Sequence, residues 1–110
     1  MNFQYKELAQ GRWFEMSLME QLGNIGSEVS RAINWKNKSN ALNSRKSLER
    51  ALELIDLTIS DKKNISRLRE ILRTREVLID FFIDKNSFKS TDLSWQKYFL
   101  NFAIAARKNR

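Results

Sequence analysis

Apolar residues recur at helical spacing in four stretches of this chain, separated by short polar breaks. Leu18, Leu22, Ile25, Val29, Ala32 and Ile33 return every three or four positions, which is the period of one helix face. The stretch opens on "SLME", where Ser17 is placed to cap the helix and Glu20 to reach back to it. The first helix is therefore predicted from 17 to about 37, where "NKSN" breaks it. The second covers 41–60, with Leu48, Ala51, Leu52, Ile55 and Ile59 as its main stripe and Leu54 and Leu57 widening it. "SDKKN" reads as a polar turn. A third helix over 65–83 places Ile65, Leu68, Leu72, Ile79, Phe82 and Ile83 in register. After "DKNSFKSTD", Thr91 or Asp92 caps a fourth helix with Trp95, Phe99, Phe102, Ala103 and Ala106 on one face.

Four amphipathic helices on short loops predict an all-α fold, an antiparallel up-down four-helix bundle over residues 17–110. Residues 1–16 carry Phe3, Tyr5, Leu8, Trp13 and Phe14 and are too apolar for a free tail. They are expected to form an N-terminal arm or short helix packed on the bundle or on another subunit.

Two details of the pattern depart from a simple bundle. The first helix carries Gly23 and Gly26, each costing about 1 kcal/mol against alanine in a helix interior. At 100° per residue, Gly23, Ser27, Ser30 and Asn34 form a small, uncharged strip opposite the core face, where lysine and glutamate are usual. Gly26 lies near the edge of the core face, where it admits a large ring. On the fourth helix Leu93, Leu100 and Ile104 lie away from Trp95 and Phe99, so this helix is apolar on two sides. One core cannot cover both sides. Both features are expected to form an oligomer or partner interface. The second departure is Arg75, which falls inside the predicted apolar arc of the third helix. An arginine there keeps its proton and needs an acceptor. Glu28 on the first helix and Asp56 on the second are the candidates for a structural ion pair, unless the guanidinium reaches water from a packed stem.

Charge adds the clearest hint of a partner. The chain of 110 residues has 20 basic and 13 acidic side chains, for a net charge of +7. The excess is +1 over residues 1–44, +4 over 45–75 and +2 over 76–110. Arg67, Glu70, Arg73 and Glu76 alternate in sign and read as a solvated, ion-paired face. Arg45, Lys46, Arg50, Lys62 and Lys63 are less interrupted by acids, and Arg107, Lys108 and Arg110 end the chain. These eight are the candidate nucleic-acid-binding residues, acting on phosphates with little base specificity. The last three also complement the dipole of the fourth helix.

Composition narrows the chemistry. There is no cysteine, histidine or proline. Disulfides, the usual zinc sites and cysteine or histidine catalysis are thereby excluded, and strand-rich folds are disfavoured. No phosphate-binding glycine loop is present. Carboxylates lack the Glu-x-x-His partner of di-metal bundles. No catalytic residue, metal or cofactor is therefore expected. No apolar run approaches the length of a membrane span, and "MNFQYKELAQ" lacks the apolar core of a signal peptide. The expectation is a cytoplasmic protein without a membrane partner.

The stretch from "GRW" through "MSLMEQLGNIGSEVSRAINWKNKSN" to "LERALELIDLTISD", then "SWQKYFLNFAIAARKNR", resembles a family of short uncharacterised prokaryotic helical proteins. In architecture alone the chain is similar to the basic four-helix bundles of the 23S rRNA intervening-sequence protein group. That group includes the accessory proteins of diversity-generating retroelements, which form ring-shaped pentamers and bind nucleic acid and a reverse transcriptase. No shared motif carries a residue role across, so the similarity implies a fold and a class of partner only. Taken with the charge, it leads us to expect a non-enzymatic homo-oligomer that binds RNA or DNA as an accessory protein in a nucleoprotein assembly. The alternative is a protein-protein interaction module, an adaptor or antitoxin-like partner, that uses the small-residue face of the first helix.

Overall fold

The computed structural model describes residues 11–108. Phe3, Tyr5, Leu8 and Arg110 lie outside the described residues. Every regular element among the described residues is helical. A 3-10 turn at Trp13–Glu15 leads into α1, Leu18–Asn37. Then come α2, Ala41–Ser60, a 3-10 segment at Lys62–Arg67, α3, Leu68–Phe82, and α4, Asp92–Lys108.

The helix ends follow from local chemistry. The Ser17 hydroxyl accepts from the Glu20 backbone N–H, while the Glu20 carboxylate accepts from the Ser17 N–H, each at 3.2 Å. This reciprocal box satisfies two donors that the first turn would otherwise leave orphaned, and such a cap contributes about 1 kcal/mol. Asn40 caps α2 by accepting from the Asn43 N–H at 3.0 Å. Thr91 serves α4 in the same way, accepting from the Ser94 N–H at 3.0 Å.

α1 is the central helix, packed on α2 along one side and α4 along another, while α3 lies mainly on α2. The order of contacts shows how the helices run. Along α2, Ser44 reaches the Ala32 carbonyl, Arg50 faces Glu28, and Asp61, just beyond the helix, meets Gln21. Along α4, Asp92 meets Lys36, Phe99 lies against Gly26, and Ala103 lies against Gly23. In both cases one helix is traversed backwards as the other runs forwards. α3 meets α4 through side chains, with Tyr98 on Glu70 and Phe81 near Trp95. Trp13, Ile25, Val29, Ile33, Ile55, Ile71, Leu78 and Phe99 are among the buried side chains that these helices share.

Helix 3 turns a different face inward from the one its sequence predicts. Ile71, Thr74, Leu78 and Asp80 are buried, whereas Ile65, Leu72 and Ile83 are exposed. The inward face is rotated by about a third of a turn from the predicted stripe. A polar anchor on that face accounts for the difference. Thr74 sits within 2.9 Å of the Tyr98 hydroxyl. On the other side of the helix, Asp80 accepts the backbone N–H groups of Ser87 at 2.8 Å and Phe88 at 3.0 Å, and is buried by the loop before α4. With this rotation Arg75 lies outside the core, about a third exposed, and donates to Asp56 at 2.9 Å.

The "SDKKN" stretch is likewise more than a polar turn. Gln21 is fully buried, donates to the Trp13 carbonyl at 3.0 Å and Asp61 at 2.9 Å, and accepts from Asn64 at 2.9 Å. Thr58 accepts from the Trp13 indole N–H at 3.1 Å and donates to the Leu54 carbonyl at 2.8 Å. This network joins the 3-10 turn at Trp13, α1, α2 and the segment after α2. Trp13, at 1% exposure, is thereby a core residue.

Candidate interaction surfaces

The basic residues separate into two groups at opposite ends of α2. Arg45 and Lys46 are exposed near its start, and Arg45 shares with Lys36 a cleft that Ser39, Phe82 and Ile83 also line. Lys62 is exposed just past its end. About 24 Å of helix separates Lys46 from Lys62 at 1.5 Å per residue. α4 passes Gly23 toward the start of α1, and Gln21 near that start meets Asp61. Exposed Arg107 and Lys108 therefore share the Lys62 end. Two of the candidate cations are engaged within the chain. Arg50 faces the buried Glu28 carboxylate at 3.8 Å. Lys63 pairs with Asp61 and donates to the Phe14 carbonyl at 3.0 Å. Arg110 lies outside the described residues.

Glu28 pairs with Arg31 and Arg50 and not with Arg75, which leaves Asp56 as the acceptor of Arg75. The charges of α1 and α2 thus meet each other, and those of α2 and α3 meet separately. Asp61 is buried, which pushes its pKa up. Hydrogen bonds from the Lys63 side chain, from Gln21 and from the Lys63 backbone outweigh burial and hold the carboxyl below its ordinary value.

The glycines of α1 both face α4. A Cβ on Gly26 would stand 2.5 Å from Phe99 Cβ, so only glycine lets the Phe99 ring seat here. A Cβ on Gly23 would meet Ala103 Cα at 3.6 Å, an ordinary contact. The small-residue strip therefore begins at an intramolecular helix crossing. Ser27 and Ser30 continue it along a groove whose other wall is Gln96, Leu100 and Ala103 of α4. Asn34 is exposed farther along α1. On the outer side of α4, Leu93 is 57% exposed, Leu100 55% and Ile104 42%. These three form an exposed apolar stripe on α4 that no other described residue covers.

A second cleft lies between α3 and α4, with a volume of about 320 Å³. Val77 and Trp95 form its apolar part, and Arg73, Thr74 and Tyr98 its polar part. The Tyr98 hydroxyl donates to Glu70 at 3.0 Å, and Arg67 clamps the other oxygen of the same carboxylate through two nitrogens at 2.9 and 2.6 Å. Burial pushes the Tyr98 pKa up to about 12, with the neighbouring Glu70 carboxylate adding to the rise and the Thr74 hydrogen bond opposing it. The tyrosine is therefore a neutral donor across the physiological range.

Sequence reasoning missed this cleft because it placed Glu70 and Arg73 on a solvated face and Tyr98 on no face at all. The available signal was the threonine at 74, a β-branched hydroxyl in the middle of a helix, which suits a buried position with a nearby acceptor. No group of three or more histidine, cysteine, aspartate or glutamate side chains placed to hold a metal occurs among the described residues. No helix among them is long and apolar enough to cross a membrane. In comparisons with protein-family models, curated proteins and solved structures, no match to this chain is found.

Proposed function

We propose that this chain is a non-enzymatic, cytoplasmic up-down four-helix bundle that binds the phosphate backbone of RNA or DNA and self-associates within a nucleoprotein assembly. The observation that carries the reading is the distribution of free charge. Arg45 and Lys46 at one end, and Lys62, Arg107 and Lys108 at the other, are exposed and make no ion pair with a described residue; the same is true of Arg12, Lys38, Arg69, Arg73, Lys85, Lys89 and Lys97 elsewhere, while Arg31, Lys36, Arg50, Lys63, Arg67 and Arg75 are each paired with an acid. Two basic ends about 24 Å apart match about seven phosphate steps along one strand at 3.4 Å each. Binding of this kind is electrostatic and tolerant of sequence.

Five phosphate contacts give a salt slope of about −4.5 on duplex DNA, so affinity falls about 500-fold between 50 and 200 mM salt. Fluorescence anisotropy with mixed-sequence duplex DNA and single-stranded RNA measures this. Absence of binding at low salt, or a slope near zero, removes the reading.

Self-association is assigned to Leu93, Leu100 and Ile104, whose exposure on a single helix face is the observation behind it. Leu100→Glu is expected to yield monomer by light scattering while the helical content is kept. The second reading, a protein-binding module, draws on the same stripe together with the neighbouring strip at Ser27, Ser30 and Asn34. It is favoured if the wild type is monomeric and Leu100→Glu abolishes capture of a protein partner while nucleic-acid binding is absent.

A further inference from the structure

The apolar stripe that the sequence assigns to the interior of helix 3 lies on the surface. Leu72 is 48% exposed, and Ile83, just past the end of α3, is 47% exposed. Ile79 lies between them, half-buried. With Glu76 these residues stand at i, i+4, i+7 and i+11, so Leu72, Glu76, Ile79 and Ile83 share one helix face. The uncovered stripe of α4 has the same spacing, as Leu93, Lys97, Leu100 and Ile104. The two stripes match position by position. Their one charged position is acidic on α3 and basic on α4. Glu76 and Lys97 are both exposed, and neither makes an ion pair with a described residue. Asp84 stands with Glu76 along a groove of about 430 Å³ beside the α3 stripe. The arginines on that side are engaged, Arg75 on Asp56 and Arg73 over the Phe88 ring at 4.7 Å.

We propose that the α3 stripe receives the α4 stripe of a second copy of this chain. The inference rests on the self-association assigned above to Leu93, Leu100 and Ile104, and adds the surface that they meet. The shared spacing is that of a coiled-coil seam, with Leu72 and Ile79 at d positions and Glu76 and Ile83 at a positions. Helices laid parallel and in register set a against a and d against d. α3 against α4 then opposes Glu76 to Lys97 and leaves three apolar pairs, Leu72 with Leu93, Ile79 with Leu100 and Ile83 with Ile104. Pairing α4 with itself gives Lys97 no acid in either direction. It faces another Lys97 when the helices are parallel and an apolar residue when they are antiparallel. Glu76 is in the same position if α3 pairs with itself. Charge therefore selects the unlike pairing and selects against the two like ones. A single charged layer in an apolar seam also fixes the register. The contact joins two different faces, so it is head-to-tail, and each copy uses α3 toward one neighbour and α4 toward another.

Mixing two surface variants of the full chain tests the pairing. Leu72→Glu spoils the α3 stripe and Leu100→Glu the α4 stripe, and circular dichroism checks that each keeps its helices. Each alone should be monomeric by light scattering at concentrations where the wild type associates. Their equimolar mixture should give a 1:1 heterodimer and nothing larger, because the intact α4 of Leu72→Glu meets the intact α3 of Leu100→Glu. Charge reversal tests the same contact with every apolar residue kept, and serves where either glutamate variant fails to fold. Glu76→Lys and Lys97→Glu should each raise the dissociation constant by at least about tenfold, and the double variant should return it close to the wild-type value. Leu72→Glu that associates like the wild type, a mixture that stays monomeric, or a double reversal no tighter than the single ones overturns this pairing and leaves self-association through α4 standing. A wild type that is monomeric at millimolar concentration overturns both.

Discussion

Replacing each helix-1 glycine by alanine separates a steric role from mere tolerance of glycine. Gly23 and Gly26 sit three residues apart in the interior of α1, so Gly→Ala improves helix propensity at both by about 1 kcal/mol. That common gain cancels when the two variants are compared. What remains is the contact each new methyl makes. At Gly26 the methyl carbon falls 2.5 Å from Phe99 Cβ and 2.8 Å from Phe99 Cγ. Carbon atoms in contact prefer about 3.5–4.0 Å, so α4 must withdraw by about 1 Å. The clash cannot be relieved by a rotamer change, because Cβ is fixed to the α4 backbone. Trp95 and Tyr98 also hold the ring, at 5.8 and 5.1 Å. Overpacking of this kind costs about 1–3 kcal/mol. At Gly23 the methyl meets Ala103 at 3.6–3.9 Å and costs nothing.

Gly26→Ala should therefore be less stable than Gly23→Ala by about 1–3 kcal/mol, with Gly23→Ala at or above the wild type. Urea unfolding followed by far-UV circular dichroism reads the difference directly. With a slope of about 2 kcal/mol per molar, the two midpoints should differ by about 0.5–1.5 M at unchanged slope. Coincident midpoints, or a Gly26→Ala midpoint above that of Gly23→Ala, would refute the close approach of α4 to Gly26.

Tyr98 makes stability depend on alkaline pH. Its folded pKa of about 12 lies above the unfolded value near 10, so its contribution is complete below pH 10 and is lost as pH rises toward 12. The urea midpoint of the wild type should fall across that window more steeply than that of Tyr98→Phe; parallel curves would count against a buried, neutral tyrosine. Gln21→Leu keeps the volume but removes one hydrogen bond each from the Trp13 carbonyl, Asp61 and Asn64, which keep the Met16 N–H, Lys63 and the Thr58 carbonyl, and should cost about 1–3 kcal/mol by the same unfolding assay. A loss below 0.5 kcal/mol would show that water replaces the network without penalty. Arg75→Ala, at a pair about one-third exposed on each side, should change stability by less than about 1 kcal/mol, and a larger loss would place the pair deeper than the structure does.

The local rules were legible in the sequence wherever one segment sufficed to state them. The capping box at Ser17 and Glu20 is present, and the spans read for α1 and α2 end where "NKSN" and "SDKKN" end them. The inner face of α4, with Trp95, Phe99 and Phe102, also follows from its own periodicity. The reading failed where polar residues outcompeted apolar ones for the interior. Helix 3 offers Ile65, Leu68, Leu72 and Ile79 on one side, yet the structure buries Ile71, Thr74, Leu78 and Asp80. A hydropathy pattern assigns Thr74 and Asp80 to solvent, because it has no term for a hydroxyl 24 residues away in sequence or for two loop N–H groups that need a carboxylate. The same blindness hid Gln21, Asp61 and Asn64, whose burial is favourable only because each satisfies the others.

By itself, then, the chain determined helix count, the ends of α1 and α2 and the need for glycine at a close crossing, since backbone hydrogen bonding, caps and steric size are properties of short segments. The third helix, read from 65, begins only at Leu68 after a 3-10 segment. Tertiary structure alone decided which face of α3 turns inward, which acid Arg75 meets, and how the basic residues divide between two ends of α2. Those outcomes depend on distances between residues far apart in sequence. A buried polar group is costly until a partner arrives from another helix, and that partner is visible only once the helices are packed.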